Sequence, residues 1–291
     1  MPAGLLLSSG TVALLSLLGD EAFLSWGWRV AFLISGVLVV VGLYIRLKVL
    51  ETPAFAKLKE ERAEAKVPFL DLLRSHPKNI MLGLGARFIE GVTFNTFGVF
   101  SIAYITTALG LPRQVALMAV IISSALMIVM LPIFGTLSDR YGRRRVFALG
   151  SLGIGLLVFP SFWLMNLKSP ELIWLAVAIP FAFVYPAVYG PQAALFAELF
   201  DTRVRYSGVS FVYQFSGIFA SGLTPIIATE LLRAGDSTPW LFCGYVVIVS
   251  IISALSVFAM RETHQRDMAV DDTHHRASGA AARTGLQAGR K

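Results

Sequence analysis

Cysteine and histidine are scarce in this chain of 291 residues. The single cysteine, Cys243, excludes an intrachain disulfide. The histidines fall in predicted loops or in the C-terminal tail, and they are His76, His264, His274 and His275. No Ser/His/Asp, Cys/His or metal-ligand spacing therefore falls within reach of a shared site. We expect a protein that is not an enzyme and has neither a metal site nor a cofactor.

Charged residues are also few, at 15% of the chain, while apolar residues make up 56%. A soluble protein of this length does not need such long uncharged runs. Eight apolar segments are each near the ~20 residues that cross a bilayer as a helix. They are Pro2–Leu18, Trp26–Ile45, Ile80–Leu109, Val115–Leu137, Val146–Leu167, Leu172–Leu199, Gly208–Leu232 and Trp240–Met260. Because a bilayer offers the backbone no water, we predict an all-α membrane protein with eight transmembrane helices.

Positive charge is concentrated on one side of this arrangement. All but five of the 25 Lys and Arg residues lie in 46–78, 140–145, 203–205 and 261–291. The exceptions are Arg29, Arg87, Arg113, Lys168 and Arg233. Since Lys and Arg are enriched in cytoplasmic loops, we predict that both termini are cytoplasmic. The net charge of +7 thus reflects orientation in a lipid bilayer, and we expect no nucleic-acid partner.

The most distinctive stretch, 135–145, joins the fourth and fifth apolar segments. It contains Gly135, Asp139, Arg140, Gly142, Arg143, Arg144 and Arg145. We expect Gly135 to allow close helix packing, Asp139 to face nearby helix N-termini, and Gly142 to adopt a positive φ. The stretch resembles the Gly-x-x-x-Asp-Arg-x-Gly-Arg-Arg signature of the major facilitator superfamily of transporters. The alternative is an ordinary arginine-rich cytoplasmic loop.

The third segment contains an ionisable pair, Arg87 and Glu90, on one helical face that Phe94 continues. Intramembrane charges cost roughly 2.5–3.5 kcal/mol each on insertion scales, so they favour a place in a solute or proton pathway. In the alternative interpretation, Arg87 extends to the cytoplasm and only neutralises Glu90.

The sixth and seventh segments contribute further polar candidates for the same pathway. Tyr185, Tyr189 and Gln192 share one face of a proline-rich helix that we expect to bend. Tyr213 and Gln214 are the notable polar groups of the seventh segment. The alternatives are interfacial aromatics beside a structural kink, and hydrogen bonds between neighbouring helices. We find nothing distinctive in the fifth and eighth segments.

Several other stretches narrow the resemblance to the metabolite:proton symporter family, in its shikimate and dicarboxylate-like branch. They are 27–33, 42–46, 51–53, 189–192 and 197–208. The resemblance covers roughly residues 2–262. It implies the transport of small organic acids, betaines or proline together with protons, across a bacterial inner membrane.

The resemblance also implies a partial fold, because the family has twelve helices in two six-helix halves. The first segment resembles the family's fifth helix, so the first four are absent. We expect the last two helices of the N-terminal half at 1–47 and a cytoplasmic loop at 48–79. A complete C-terminal six-helix bundle at 80–262 and a disordered cytoplasmic tail at 263–291 follow.

In the family, a cytoplasmic gate forms around the signature. Here the resemblance assigns this role to Gly135, Asp139, Arg140, Gly142, Arg143, Arg144, Glu198, Arg203 and Arg205. Glu198 is expected to pair with Arg143 or Arg144. The sequence thus predicts a proton-coupled symporter fragment that is inactive without the missing helices or a second chain. The alternative is a non-transporting membrane scaffold or sensor built on the same bundle.

Overall fold

The computed structural model describes residues 1–48, 76–200 and 204–260, and this part of the chain is helical without any strand. Eight helices are named here in chain order. They are α1 (Pro2–Ser16), α2 (Phe23–Leu47), α3 (Pro77–Ala108), α4 (Arg113–Tyr141), α5 (Arg143–Asn166), α6 (Pro170–Ala197), α7 (Arg205–Ala234) and α8 (Trp240–Ala259). The all-α prediction is confirmed.

Seven of these helices, α2 to α8, are long and apolar enough to cross a membrane. The first predicted segment also forms a helix, but α1 has only 15 residues. At 1.5 Å per residue it is about 22 Å long, which is less than the ~30 Å of a bilayer core. Most of the predicted central loop and the predicted tail lie outside the described residues, so the division into domains stays a prediction.

Helices α3 to α8 pack around one core. Helix α8 lies against α3 and α5, α6 lies against α4 and α5, and the first part of α7 lies against α3. Helix α1 packs on α4, whereas the side chains of α2 from residue 32 to residue 47 are exposed. Six helices therefore form one bundle, and α2 presents most of its apolar surface outward.

Small residues bring the helices of this bundle close together. A Cβ added to Gly150 of α5 would lie 2.7 Å from the Ala187 Cβ of α6. The hydroxyl groups of Ser151 and Ser250 each donate to the other residue's carbonyl, at 2.9 and 2.6 Å. Since lipid tails are as apolar as leucine, such close packing and interhelical hydrogen bonds stabilise membrane bundles.

Four of the helices contain π-helical turns: Phe23–Gly27 in α2, Thr96–Phe100 and Tyr104–Ala108 in α3, Ile179–Val184 in α6, and Gly217–Gly222 in α7. In α6 the π-helical turn includes Pro180, and Tyr185 follows directly. Proline removes one backbone donor and disturbs the regular helix. The bend expected for this helix stays a prediction. The irregular part of α6 thus lies next to its buried tyrosine.

An aromatic cluster joins α3, α5 and α8 at the end of the bundle farthest from Gly142. The ring centroids of Phe100 and Phe242 are 4.7 Å apart, and those of Tyr104 and Phe162 are 5.3 Å apart. The Tyr104 hydroxyl donates to Asn166 Oδ1 at 2.9 Å. Rings at these distances are in favourable contact, so three helix ends are held together here.

Candidate functional site

The pair predicted in the third segment lies deep inside the bundle. At 1.5 Å per residue, Glu90 lies about 20 Å along α3 from Pro77. Tyr185 lies about 18 Å along α6 from its C-terminal residue, Ala197. Both residues therefore lie near the middle of the ~30 Å hydrocarbon layer. The Tyr185 hydroxyl donates a hydrogen bond to Glu90 Oε1 at 2.8 Å, across 95 positions of sequence.

Arg87 and Glu90 form an ion pair in which the two side chains are only 12% and 4% exposed. The Arg87 guanidinium also lies over the ring of Tyr213, 4.9 Å from its centroid. A cation on an aromatic face is stabilised by the ring electrons, especially away from water. The guanidinium is thus held inside the bundle between a carboxylate and a ring, and it does neutralise Glu90.

The remaining predicted residues of α6 complete this cluster. The Tyr185 and Tyr189 rings stack at 5.7 Å, and Phe181 links Tyr185 to the half-buried Phe94 through ring contacts of 5.3 and 6.2 Å. Gln192 is 1% exposed, and among the described residues neither of its amide atoms has a hydrogen-bond partner. The amide lies beside Tyr213 without the geometry of a hydrogen bond.

The two polar neighbours of α7 have different surroundings. Tyr213 contacts Arg87 and meets the Phe196 ring edge-on at 5.7 Å. Gln214 is exposed, and the structure does not bring it into the cluster. Successive residues of a helix point about 100° apart, so only one of the two can face α3 and α6. The cluster therefore consists of seven predicted residues: Arg87, Glu90, Phe94, Tyr185, Tyr189, Gln192 and Tyr213.

Two contacts near the cluster were not expected from the sequence. The hydroxyl of Ser253 in α8 accepts from the Ile89 amide at 3.1 Å and donates to the Gly85 carbonyl at 2.7 Å. These two backbone groups pair directly in an uninterrupted helix. The eighth segment thus does contain a distinctive group, and serines three residues apart at 250, 253 and 256 were the available signal. The Met1 sulfur lies 3.9 Å from the Tyr185 hydroxyl.

The signature stretch forms the turn between α4 and α5. Gly142 has φ 98° and ψ 127°, which confirms the predicted positive φ. Asp139 accepts two hydrogen bonds from Arg143, at 3.1 Å from Nε and 2.8 Å from Nη2. Arg143 also forms the predicted ion pair with Glu198. One guanidinium in the first turn of α5 therefore binds carboxylates from α4 and from the end of α6.

Three other residues predicted to form the cytoplasmic gate have contacts outside the Asp139–Arg143–Glu198 group. Arg144 donates to the Phe258 carbonyl of α8, and Arg205 Nε donates to the Phe200 carbonyl at 3.3 Å. Arg140 lies over the neighbouring ring of Tyr141, at 5.6 Å. Arg203 lies outside the described residues.

The close approach expected at Gly135 depends on its partner glycine. A Cβ added to Gly135 would meet no atom within 4 Å. A Cβ added to Gly190 of α6 would lie 3.2 Å from the Gly135 nitrogen and 3.4 Å from the Leu131 carbonyl oxygen. The missing side chain that lets α4 and α6 approach is thus that of Gly190, because its Cα faces the backbone of α4.

Comparisons with known proteins agree with this architecture. The family described as Major Facilitator Superfamily matches residues 3–222 and 85–285. A shikimate transporter of Escherichia coli (strain K12) is 34% identical, over 90% of this chain and 60% of that protein. The inner membrane metabolite transport protein YhjE of the same strain is 33% identical, over 91% and 60%. A proline/betaine transporter of Salmonella typhimurium is 30% identical, over 91% and 55%.

A crystal structure of a D-xylose-proton symporter has the same fold, with a TM-score of 0.66 at 18% identity, over 91% of this chain and 62% of that one. The chain spans about 60% of the length of the first curated relatives that it matches. The family match covers most of the described helices, including the turn around Asp139. The chain is a multi-pass membrane protein that belongs to the Major Facilitator Superfamily of transporters, as the signature stretch predicted.

Proposed function

We propose that this chain is part of a proton-coupled symporter for small organic acids or related metabolites. The buried cluster around Arg87 and Glu90 carries this proposal. Burying charge at mid-membrane depth is costly, and a scaffold or sensor that only packs helices has no use for it. The cluster also contains the unpaired amide of Gln192, a polar group that a solute can satisfy. We assign the binding of the solute and of the proton to this part of α3, α6 and α7.

The names of the relatives support the class of solute. They include shikimate, proline and betaine, and each of these compounds contains a carboxylate. A guanidinium binds a carboxylate through two parallel hydrogen bonds, which makes Arg87 the natural partner for such a solute. Tyr189, Tyr213 and Gln192 supply hydroxyl and amide groups for its remaining polar atoms.

We assign the gate to the charged turn at the other end of the pathway. Asp139, Arg143 and Glu198 join three helices there, and the pairs can break and reform as the bundle changes state. The density of arginine in this turn supports a cytoplasmic position. With this orientation the inner membrane is crossed so that both termini lie in the cytoplasm.

We further propose that the chain does not transport alone. Alternating access requires two halves that move about a site at their interface. Residues 80–262 supply the C-terminal half in this proposal, while residues 1–47 supply only α1 and α2 of the other. The exposed apolar face of α2 is a surface on which further helices could pack. Four further helices, or a second chain, would then have to complete the other half.

Uptake of labelled shikimate, citrate and 2-oxoglutarate into proteoliposomes tests the proposal. We expect no proton-driven uptake with this chain alone, and saturable uptake when the four N-terminal helices of a relative are reconstituted with it. Uptake by the chain alone, abolished when the proton gradient is collapsed, would keep the transporter and refute the need for further helices. Failure of both preparations to bind or transport any of the three acids would favour a scaffold or sensor.

A further inference from the structure

An open groove runs between α1 and α4, apart from the cluster around Arg87 and from the charged turn. Its volume is about 370 Å³, and its α1 wall consists of Gly10, Ala13, Leu14 and Leu17. These spacings of three, four and seven residues place the four on one face of the helix. Gly10 and Ala13 have almost no side chain, and a Cβ added to Gly10 would meet no atom within 4 Å. The groove is therefore the space that larger side chains would fill where α1 packs on α4.

The α4 wall shows the direction of the groove. Gln114, Met118 and Ile121 line it, at spacings of four and seven residues on one helical face. Arg113, which begins α4, lies over the ring of Phe23, and Phe23 follows the end of α1. The start of α4 is thus beside the end of α1, and the groove extends from there toward the middle of both helices. From Gln114 to Ile121 it covers about 10 Å at 1.5 Å per residue.

The groove is polar only at its mouth, near the membrane surface. Gln114 is the one polar side chain among its lining residues. Helix α4 has 29 residues and is about 43 Å long, whereas a hydrocarbon core is ~30 Å thick, so the first turn of α4 lies at the level of the lipid headgroups. A hydrocarbon chain matches the apolar interior, and a polar group matches the mouth. A phospholipid combines both, and the bilayer supplies it at high concentration.

Arg113 provides a cation for the headgroup of such a lipid. Its Cζ is 5.3 Å from the centroid of the Phe23 ring. A ring beneath a guanidinium limits its orientations and leaves the edge of the planar fork for hydrogen bonds. The ion pairs found among the described side chains do not include Arg113. Since a guanidinium binds phosphate through two parallel hydrogen bonds, Arg113 complements a phosphate at the mouth of the groove.

We propose that the groove between α1 and α4 binds one phospholipid from the leaflet opposite the charged turn. One acyl chain lies along Gly10, Ala13 and Ile121, and the phosphate binds to Arg113 and Gln114. A transmembrane helix is too large for this place, because a helix about 10 Å across fills roughly twice the volume of the groove over the same length. The inference goes beyond transport, since a bound lipid stabilises α1 on α4 whether or not a solute is moved.

Photocrosslinking of the purified chain in nanodiscs tests the inference. The probe is phosphatidylglycerol with a diazirine in one acyl chain, because the phosphate is its only charged group. We expect saturable labelling of residues 10–17 and 114–121, mapped by mass spectrometry and displaced by unlabelled phosphatidylglycerol. A diazirine near the ester should label Leu17 or Gln114, and one farther along the chain should label Ala13 or Ile121. The reverse order of depth would overturn the inference.

A matched pair of glycines tests the acyl chain. Gly10→Leu should abolish the saturable labelling, because a side chain there has room and takes the place of the lipid. Gly4→Leu is the control on the same helix, since its Cβ also meets no atom within 4 Å and Gly4 does not line the groove. Unchanged labelling in a folded Gly10→Leu variant would overturn the inference.

A matched pair of arginines tests the headgroup. Arg113→Gln should lower the affinity for the probe about fivefold, as expected for one cation at a lipid surface. Arg29→Gln is the control, because the Arg29 guanidinium also lies 5.3 Å from a ring centroid, that of Trp28, and does not line the groove. An equal effect of the two variants would show that Arg113 does not hold the phosphate.

The outcomes separate this inference from the proposed function. Labelling without saturation, spread equally over the exposed faces of α2, α5 and α8, would indicate an ordinary lipid shell and overturn the groove site. Loss of labelling when the four N-terminal helices of a relative are reconstituted with the chain would also overturn it, since the groove would then be a packing face. Saturable labelling in a chain that neither binds nor transports an organic acid would support the site and refute only the proposed function. Saturation and depth order are measured on the unchanged chain, so they stand even if a variant fails to fold.

Discussion

Arg143 and Glu198 form an ion pair that ties the first turn of α5 to the end of α6. The Glu198 side chain is 7% exposed, whereas that of Asp139, which binds the same guanidinium, is 61% exposed. Water screens an exposed pair far more than a buried one. The two carboxylates on this guanidinium should therefore differ in what they contribute to stability.

Glu198→Gln should lower the free energy of unfolding by about 1–2 kcal/mol, because a protected charge-assisted hydrogen bond is lost. Asp139→Asn should cost less than about 1 kcal/mol, as exposed pairs usually do. Chemical unfolding of the purified chain in detergent measures both. Equal losses for the two variants would show that burial does not distinguish these carboxylates.

Tyr185→Phe should lower the free energy of unfolding by about 1.5–3 kcal/mol, since a buried carboxylate loses a hydrogen-bond donor without a change in packing volume. Tyr189→Phe is the control, because Tyr189 is half-buried and donates no hydrogen bond to Glu90. It should cost less than about 0.5 kcal/mol. If Tyr185→Phe is as stable as the unchanged chain, the hydrogen bond to Glu90 does not support the cluster.

Gly142→Ala should destabilise the turn by about 1–3 kcal/mol, because φ 98° with ψ 127° is a backbone conformation that side chains disfavour. Gly142→Asn should not restore stability. Asparagine tolerates the left-handed helical region near ψ of about 45°, which is far from this turn. Thermal unfolding of the two variants checks the prediction, and an asparagine variant as stable as glycine would contradict it.

The pair Gly190 and Gly135 offers a matched test of helix packing. Gly190→Ala should destabilise by about 1 kcal/mol, because its Cβ meets backbone atoms of α4 that cannot rotate away, and this outweighs the gain in helix propensity. Gly135→Ala meets no atom within 4 Å and should be neutral or stabilising. The reverse order in thermal unfolding would refute the close approach of α4 and α6.

Local features of the site were predictable from sequence, and long-range ones were not. Arg87 and Glu90 are three residues apart, so helical geometry alone brings them together. The hydrogen bond from Tyr185 to Glu90 joins residues 95 positions apart and requires the packing of α6 on α3. Ser253 shows the same limit, since the spacing of serines in α8 marks one face of that helix but does not reveal which backbone groups of α3 the hydroxyl bridges.

Gly142, Gly135 and Gly190 show the same difference between local features, which the sequence predicts, and long-range features, which it does not. The positive φ of Gly142 followed from a turn that must reverse the chain between two long helices. Which of two facing glycines lacks room for a side chain depends on the rotation of α6 about its axis. The sequence pattern does not contain that rotation, so the role of Gly190 is visible only in the folded structure. In the same way, the rotation of α7 about its axis decides that Gln214 is exposed while its neighbour Tyr213 contacts Arg87.

The aromatic cluster of Phe100, Tyr104, Phe162 and Phe242 has a mechanical consequence. It fastens α3, α5 and α8 together at one end of the bundle, while ion pairs join α4, α5 and α6 at the other. Helices α5 and α8 are also joined at the charged end, where Arg144 donates to the Phe258 carbonyl. Of the helices joined by ion pairs at that end, only α5 takes part in the ring contacts of this cluster as well. A movement of α4 and α6 away from α5 would therefore break the ion pairs of Arg143 without breaking a ring contact of the cluster, and α3, α5 and α8 form the frame against which such a movement would occur.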